Sequence, residues 1–202
     1  MQVLETPPQI TFSPLLKRYS LEEFWALPEP ADRNHYDLIG GQLFMVPPPD
    51  PPHGSIDFRL ADSLFQFVRS HKIEGEIHHP REGIYTDVVT ATYVEPDMMY
   101  VSNTLRDLMG DRRSSADIVF EYLSPSTATY DRTTKADTYL ALGVRELWLI
   151  DPLSVTIEVR YASVRDGQPA WDTWLFSTGD QAKSRVLPGW EVSVDELFKG
   201  LI

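Results

Sequence analysis

The chain has 202 residues, no cysteine, and a formal net charge of −12 from 30 Asp and Glu against 18 Lys and Arg. That length suits one domain with a sizeable core, while the missing cysteines exclude disulfides, thiol catalysis and thiolate metal sites. No run reaches the roughly 18 apolar residues of a membrane span, so a cytoplasmic protein without a membrane partner is expected, and the acidic balance argues against tight duplex binding, which rests on Lys and Arg neutralising phosphates.

Residues 1–18 are proline-containing and aperiodic and predict an extended N-terminal arm, with 19–202 forming a single domain. Ser20-Leu21-Glu22-Glu23 is a capping-box pattern that opens a short helix ending before Pro28. His35–Ile39 and Gln42–Val46 flank Gly40-Gly41 and predict a hairpin. The proline run from Pro47 to Pro52 reads as a stiff connector. Ile56, Leu60, Leu64, Phe67 and Val68 then recur at helical spacing, predicting a long amphipathic helix from about His53 to His71.

Strands are expected near Gly75–His79, around Ile84-Tyr85 and from Val94 to Val101, with a short helix over Leu105–Met109. Ile118–Leu123 reads as a central strand, apolar on both faces. It leads to a helix expected to be capped by Asp131 and closed by Gly143. The apolar strand Glu146–Ile150 follows, with Val155–Tyr161 as its hairpin partner. Strand, helix and strand in succession predict a crossover unit in a mixed sheet.

Glu121 stands inside an apolar strand, where an unpaired carboxylate would be costly, so it must be paired, protonated or bound to a cation. Asp97 opens the Val94–Val101 run and shares a face with Met99 and Val101. If the two strands are neighbours, both acids can reach one hard cation. Mg²⁺, or Mn²⁺ in its place, suits two carboxylates completed by water and phosphate oxygens. Lys135, with Tyr139 four residues on, can orient the attacking water or contact the scissile phosphate. A structural ion pair between Glu121 and Lys135 or an arginine is the plainer reading.

His53 could sit at the rim of such a site, binding phosphate or moving a proton. His53, His78 and His79 also raise a zinc reading, although adjacent strand residues face opposite ways. Neither a Gly-x-Ser-x-Gly elbow nor a phosphate-cradling Gly-x-x-x-x-Gly-Lys loop is present. Basic residues cluster at Arg106, Arg112 and Arg113, at Arg132 and Lys135, and at His78, His79 and Arg81.

From about Tyr36 to Phe198 the sequence resembles the Uma-two family of endonucleases, a domain of unknown function abundant in cyanobacteria and grouped with the restriction-endonuclease-like PD-(D/E)XK superfamily. The resemblance is carried by Tyr36-Asp37-Leu38-Ile39-Gly40-Gly41-Gln42-Leu43, the proline run before His53, Glu95-Pro96-Asp97, and Phe120-Glu121-Tyr122-Leu123-Ser124-Pro125-Ser126. Lys135 with Tyr139 and then Gly143–Asp151 complete it. It implies an α/β fold: a restriction-endonuclease-like core with a mixed central sheet flanked by helices, plus the N-terminal hairpin and arm. It also implies a DNA hydrolase in which Asp97 and Glu121 bind the metal.

The superfamily's lysine often lies two residues after the glutamate, where this chain has Leu123, and Lys135 would reach the same point from the next helix. The family's hairpin typically carries Glu at the position of Asp37, an acid at Gly40 and Glu at Gln42, so Asp37 keeps an acid of shorter reach while Gln42 loses one. The alternative is a catalytically inactive interaction protein on the nuclease scaffold, in which the aromatic C-terminal segment and arm cover a second copy in a homodimer.

Overall fold

A computed structural model describes residues 17–30, 33–48, 51–80, 82–88 and 90–201. The predicted arm therefore lies outside the described residues except for Lys17 and Arg18, as do Pro49, Asp50 and Arg81. In chain order the elements are α1 (Leu21–Trp25), β1 (His35–Ile39), β2 (Gln42–Val46), α2 (His53–Ser70), β3 (Gly75–His78), β4 (Ile84–Thr86), β5 (Thr92–Val94), β6 (Met98–Ser102) and α3 (Asn103–Met109). Next come β7 (Ile118–Tyr122), α4 (Ala128–Tyr130), a π-helical turn over Asp131–Lys135, α5 (Ala136–Ala141) and β8 (Glu146–Asp151). The chain closes with β9 (Thr156–Arg165), β10 (Gln168–Phe176), β11 (Gln181–Lys183), β12 (Glu191–Ser193) and α6 (Val194–Phe198). No described helix is long and apolar enough to cross a membrane.

Local signals account for several boundaries. Ser20 Oγ accepts from the Glu23 N–H at 3.1 Å and the Glu23 carboxylate accepts from the Ser20 N–H at 3.0 Å, the expected capping box. Gly40 and Gly41 take φ of +59° and +80°, the left-handed pair that a two-residue hairpin turn requires. At the sheet edge, a Cβ on Gly75 would lie 2.6 Å from the ring of Tyr100, which is itself buried and cannot yield.

A six-stranded sheet runs in the order β10-β9-β8-β7-β6-β3 and a four-stranded sheet in the order β2-β1-β5-β4. The large sheet is mixed, since β7 and β8 are parallel across the helical crossover while β6–β7 and β8–β9 are antiparallel. Every residue of β7 is buried. The face bearing Ile118, Phe120 and Tyr122 packs with Trp148 and the α2 residues Ile56, Leu60 and Leu64. The opposite face, with Val119 and Leu123, packs with Ala136 and Tyr139 of the crossover and with Ile84 and Val94 of the small sheet. Alternation along β7 thus divides the core in two, as the sequence predicts.

Two expectations need correction. The Val94–Val101 run is not one strand: it breaks at Glu95-Pro96-Asp97, with β5 in the small sheet and β6 in the large one. Pro96 has no N–H to donate to a ladder and interrupts the pairing. Asp97 accordingly sits in the bend before β6, not on a strand face shared with Met99. Nor does Asp131 cap its helix: Thr127 is the residue that precedes it, and Asp131 lies a full turn inside, where the π-helical turn begins.

Candidate functional site

The bend at Asp97, the end of β7, the start of α2 and the π-helical turn meet at the ends of two interior strands of the large sheet. There they line a cleft of about 100 Å³ whose walls include Asp97, Asp131, Lys135, His53 and Glu95. Antiparallel pairing sets Met98 opposite Phe120, which brings the residues flanking them, Asp97 and Glu121, to the same end of the two strands. The Tyr122 N–H, extending past the ladder, donates to Asp97 Oδ2 at 2.8 Å. His53 Nε2 lies 3.1 Å from Asp97 Oδ1, so the first residue of α2 does stand at the rim.

Glu121 is only 2% exposed and Lys135 only 3%. The Lys135 ammonium lies 3.0 Å and 2.9 Å from the two Glu121 carboxylate oxygens, donates to the Glu95 carbonyl at 2.9 Å, and is 3.9 Å from Asp37. Tyr139 donates its hydroxyl to Glu121 at 2.5 Å. Lys135 and Tyr139 therefore close on one carboxylate from successive turns of a single helix, as their spacing predicts. Glu121 does not itself line the cleft; it lies behind Lys135.

Asp37, fully buried on β1, reaches in from the small sheet, accepting from the Glu95 N–H at 3.0 Å and the Tyr130 hydroxyl at 2.9 Å. The shorter acid thus keeps a place beside Lys135. His78 and His79 lie elsewhere: His78 is held between Glu76 and Glu82, and His79 is 3.6 Å from Asp57. The predicted basic clusters are paired with acids, Arg106 with Glu76, Arg112 with Asp87, Arg113 with Glu82, and Arg132 with Asp151 and Glu158.

The charges of the site follow from its burial. Burial works against the Lys135 ammonium, yet Glu121, Asp37, Asp131 and Asp97 outweigh it and hold its pKa above the ordinary range. Burial pushes the Glu121 carboxyl well up against the pull of Lys135, with Asp97 adding like charge. Desolvation is the largest cause, as a carboxylate inside an apolar strand implies. Asp97 is also opposed by burial, but His53, Lys135 and the Tyr122 N–H bring it below its ordinary value. Lys135 is thus a fixed cation, unsuited to be a base, and Glu121 is the group whose charge the site can change.

Asp131 is a site residue that sequence reasoning missed, because an aspartate before a helical run reads first as a cap. Burial raises its carboxyl above the ordinary 3.8, with Lys135 and Thr127 pulling it down and Asp97 and Asp37 pushing it up. A raised acid favours the folded state at low pH, and that contribution is lost as pH rises from 3.8 through the folded-state value. Asp131→Asn should therefore be more stable than the parent at neutral pH, by on the order of 1 kcal/mol. The difference should shrink towards zero as the pH falls, and urea denaturation across that range measures it; a gap independent of pH would contradict the assignment.

The donor set fits a hard ion. Glu121 Oε1 is taken by both Tyr139 and Lys135, whereas Glu121 Oε2 and the two Asp97 oxygens each have one partner and keep a second lone pair. Among the described residues no group of three or more His, Cys, Asp or Glu side chains is arranged to hold a metal. A pair of acids completed by water and phosphate oxygens is what Mg²⁺ ordinarily takes.

A mixed sheet with helices on both faces, with Asp97, Glu121 and a buried lysine gathered at the ends of its interior strands, defines a nuclease-like α/β fold. The Uma2 family, described as "Putative restriction endonuclease", matches residues 21–195, and the chain belongs to it. The fold is similar to that of a solved "putative nuclease belonging to DUF820" from Anabaena variabilis ATCC 29413, with a TM-score of 0.72, 21% identity, and coverage of 91% of this chain and 99% of that one. No curated protein matches the chain.

Proposed function

We propose that the protein is a metal-dependent endonuclease that hydrolyses DNA phosphodiester bonds, with Asp97 and Glu121 binding the ion and Lys135 assisting the attacking water. The observation that supports this reading most is that Asp97 and a buried Lys135 line one cleft, with Glu121 directly behind Lys135 and in contact with it. Mg²⁺ or Mn²⁺, when bound, would polarise the phosphoryl oxygen and lower the pKa of a coordinated water.

The chain's own groups do the positioning. Lys135, locked by Glu121 and the Glu95 carbonyl, presents fixed positive charge to an incoming phosphate. The Tyr122 N–H and His53 orient the Asp97 carboxylate. Tyr139 holds Glu121 in place. Asp37 ties the small sheet to the bend that carries Asp97.

The test is cleavage of plasmid and linear DNA with Mg²⁺ or Mn²⁺, with and without EDTA. Cleavage that EDTA abolishes and either ion restores is the expected result. No cleavage of any DNA, together with no heat of divalent binding by calorimetry, would favour the inactive scaffold.

A further inference from the structure

Two kinds of surface meet in the cleft. Beside the acids and Lys135, prolines form much of its wall: Pro47, Pro48, Pro51 and Pro52 from the connector, Pro125 after β7 and Pro152 after β8. The rings of His53 and Tyr122, in edge-to-face contact at 4.7 Å, also line it. His35 lines it too, and its Nε2 is the one buried side-chain nitrogen or oxygen among the described residues without a hydrogen-bond partner. Such orphans are rare in folded proteins and call for an explanation. His35 as a residue is only half-buried, so a group bound in the cleft can approach its ring.

Size and charge restrict what can enter. A volume of about 100 Å³ admits one ring, not a stacked pair. Lys135 is the sole Lys or Arg among the described lining residues, and Glu121 already holds it. A duplex, bound through many cations along its phosphates, finds no such track here. A flexible strand can instead lower one phosphate towards the acids while its base or sugar rests on the rings and prolines.

We propose that this proline-walled space is a subsite for a single base or sugar ring with His35 as its hydrogen-bonding group, and that the protein acts on an unpaired strand of DNA. The inference rests on the nuclease reading above and specifies its substrate.

The test uses three labelled DNA probes of one sequence: a single strand, its blunt duplex, and a duplex with a central unpaired bulge. Binding is followed by fluorescence anisotropy in EDTA and in Ca²⁺, and cleavage by gel in Mg²⁺. The parent should bind the single strand and the bulge at least about tenfold more tightly than the blunt duplex. His35→Ala should weaken single-strand binding by about 2- to 10-fold, with His35→Gln retaining part of it.

Equal or tighter binding of the blunt duplex overturns the proposal, as does the absence of single-strand binding or an unchanged affinity in His35→Ala. If His35→Ala melts at a lower temperature, Pro48→Glu at the half-buried wall carries the test: weakened single-strand binding supports the subsite and unchanged binding overturns it. Cleavage of all three probes at one rate would keep the nuclease and remove the subsite. Selective, His35-dependent binding without cleavage would keep the subsite and remove the nuclease.

Discussion

Glu121→Gln should lose metal-dependent cleavage by about two orders of magnitude or more, and lose its heat of Mg²⁺ binding, while keeping a cooperative unfolding transition. Glutamine keeps an amide oxygen that can accept from Tyr139 or Lys135 but carries no charge for a cation. Lys135 retains the Glu95 carbonyl and the field of Asp37, Asp131 and Asp97, so the ammonium is not abandoned. Glu121→Ala, the obvious substitution from sequence, is the poorer probe, since it opens a cavity beside a buried cation. Cleavage and Mg²⁺ affinity equal to the parent's in Glu121→Gln would remove Glu121 from the metal site.

The second large effect separates stability from activity. Lys135→Met leaves the Glu121 carboxylate buried without its cation and should destabilise the fold by about 3–5 kcal/mol. Adding Glu121→Leu and Tyr139→Phe replaces the Glu121–Lys135–Tyr139 cluster by apolar side chains of similar size, the last because the Tyr139 hydroxyl would otherwise lose its acceptor, and leaves Asp37 and Asp131 without the nearby cation. This triple variant should regain part of the lost stability, because apolar replacements of buried ion pairs are often neutral or better, while Asp37 and Asp131 stay without their cation. It should remain without nuclease activity. Urea denaturation and a DNA cleavage assay give the two readouts; a triple variant no more stable than Lys135→Met would show that the pair is not the main source of the loss.

How far the sequence revealed this site depended on how local each cause was. The capping box at Ser20, the Gly40-Gly41 turn and the α2 periodicity are set by neighbours within a few residues, and they appear where expected. An ion pair of Glu121 with Lys135 was also legible, because a carboxylate in an apolar strand demands a partner, and the four-residue spacing put Tyr139 on the Lys135 face, though not its bond to Glu121. What escaped depends on contacts between distant segments. Asp37 approaches Lys135 only because two sheets pack together. The bend at Pro96 divides one apolar run between those sheets, a choice that hydrophobic periodicity cannot make. Asp131 was misread because cap and cleft positions look alike when only the following helix is visible.

The π-helical turn between Asp131 and Lys135 makes the site a matter of counting. An α-helix turns about 100° per residue, so a turn widened by one residue rotates everything before it relative to everything after it. Across that turn Asp131 and Lys135, four apart, both line the cleft, while Tyr139, four further on, meets Glu121 behind it. Removing one residue from the turn would leave the flanking strands and helices unchanged in sequence, yet rotate Asp131 by about 100° relative to Tyr139. The arrangement is therefore sensitive to the phase of the helix to a degree that the identity of any single side chain does not convey.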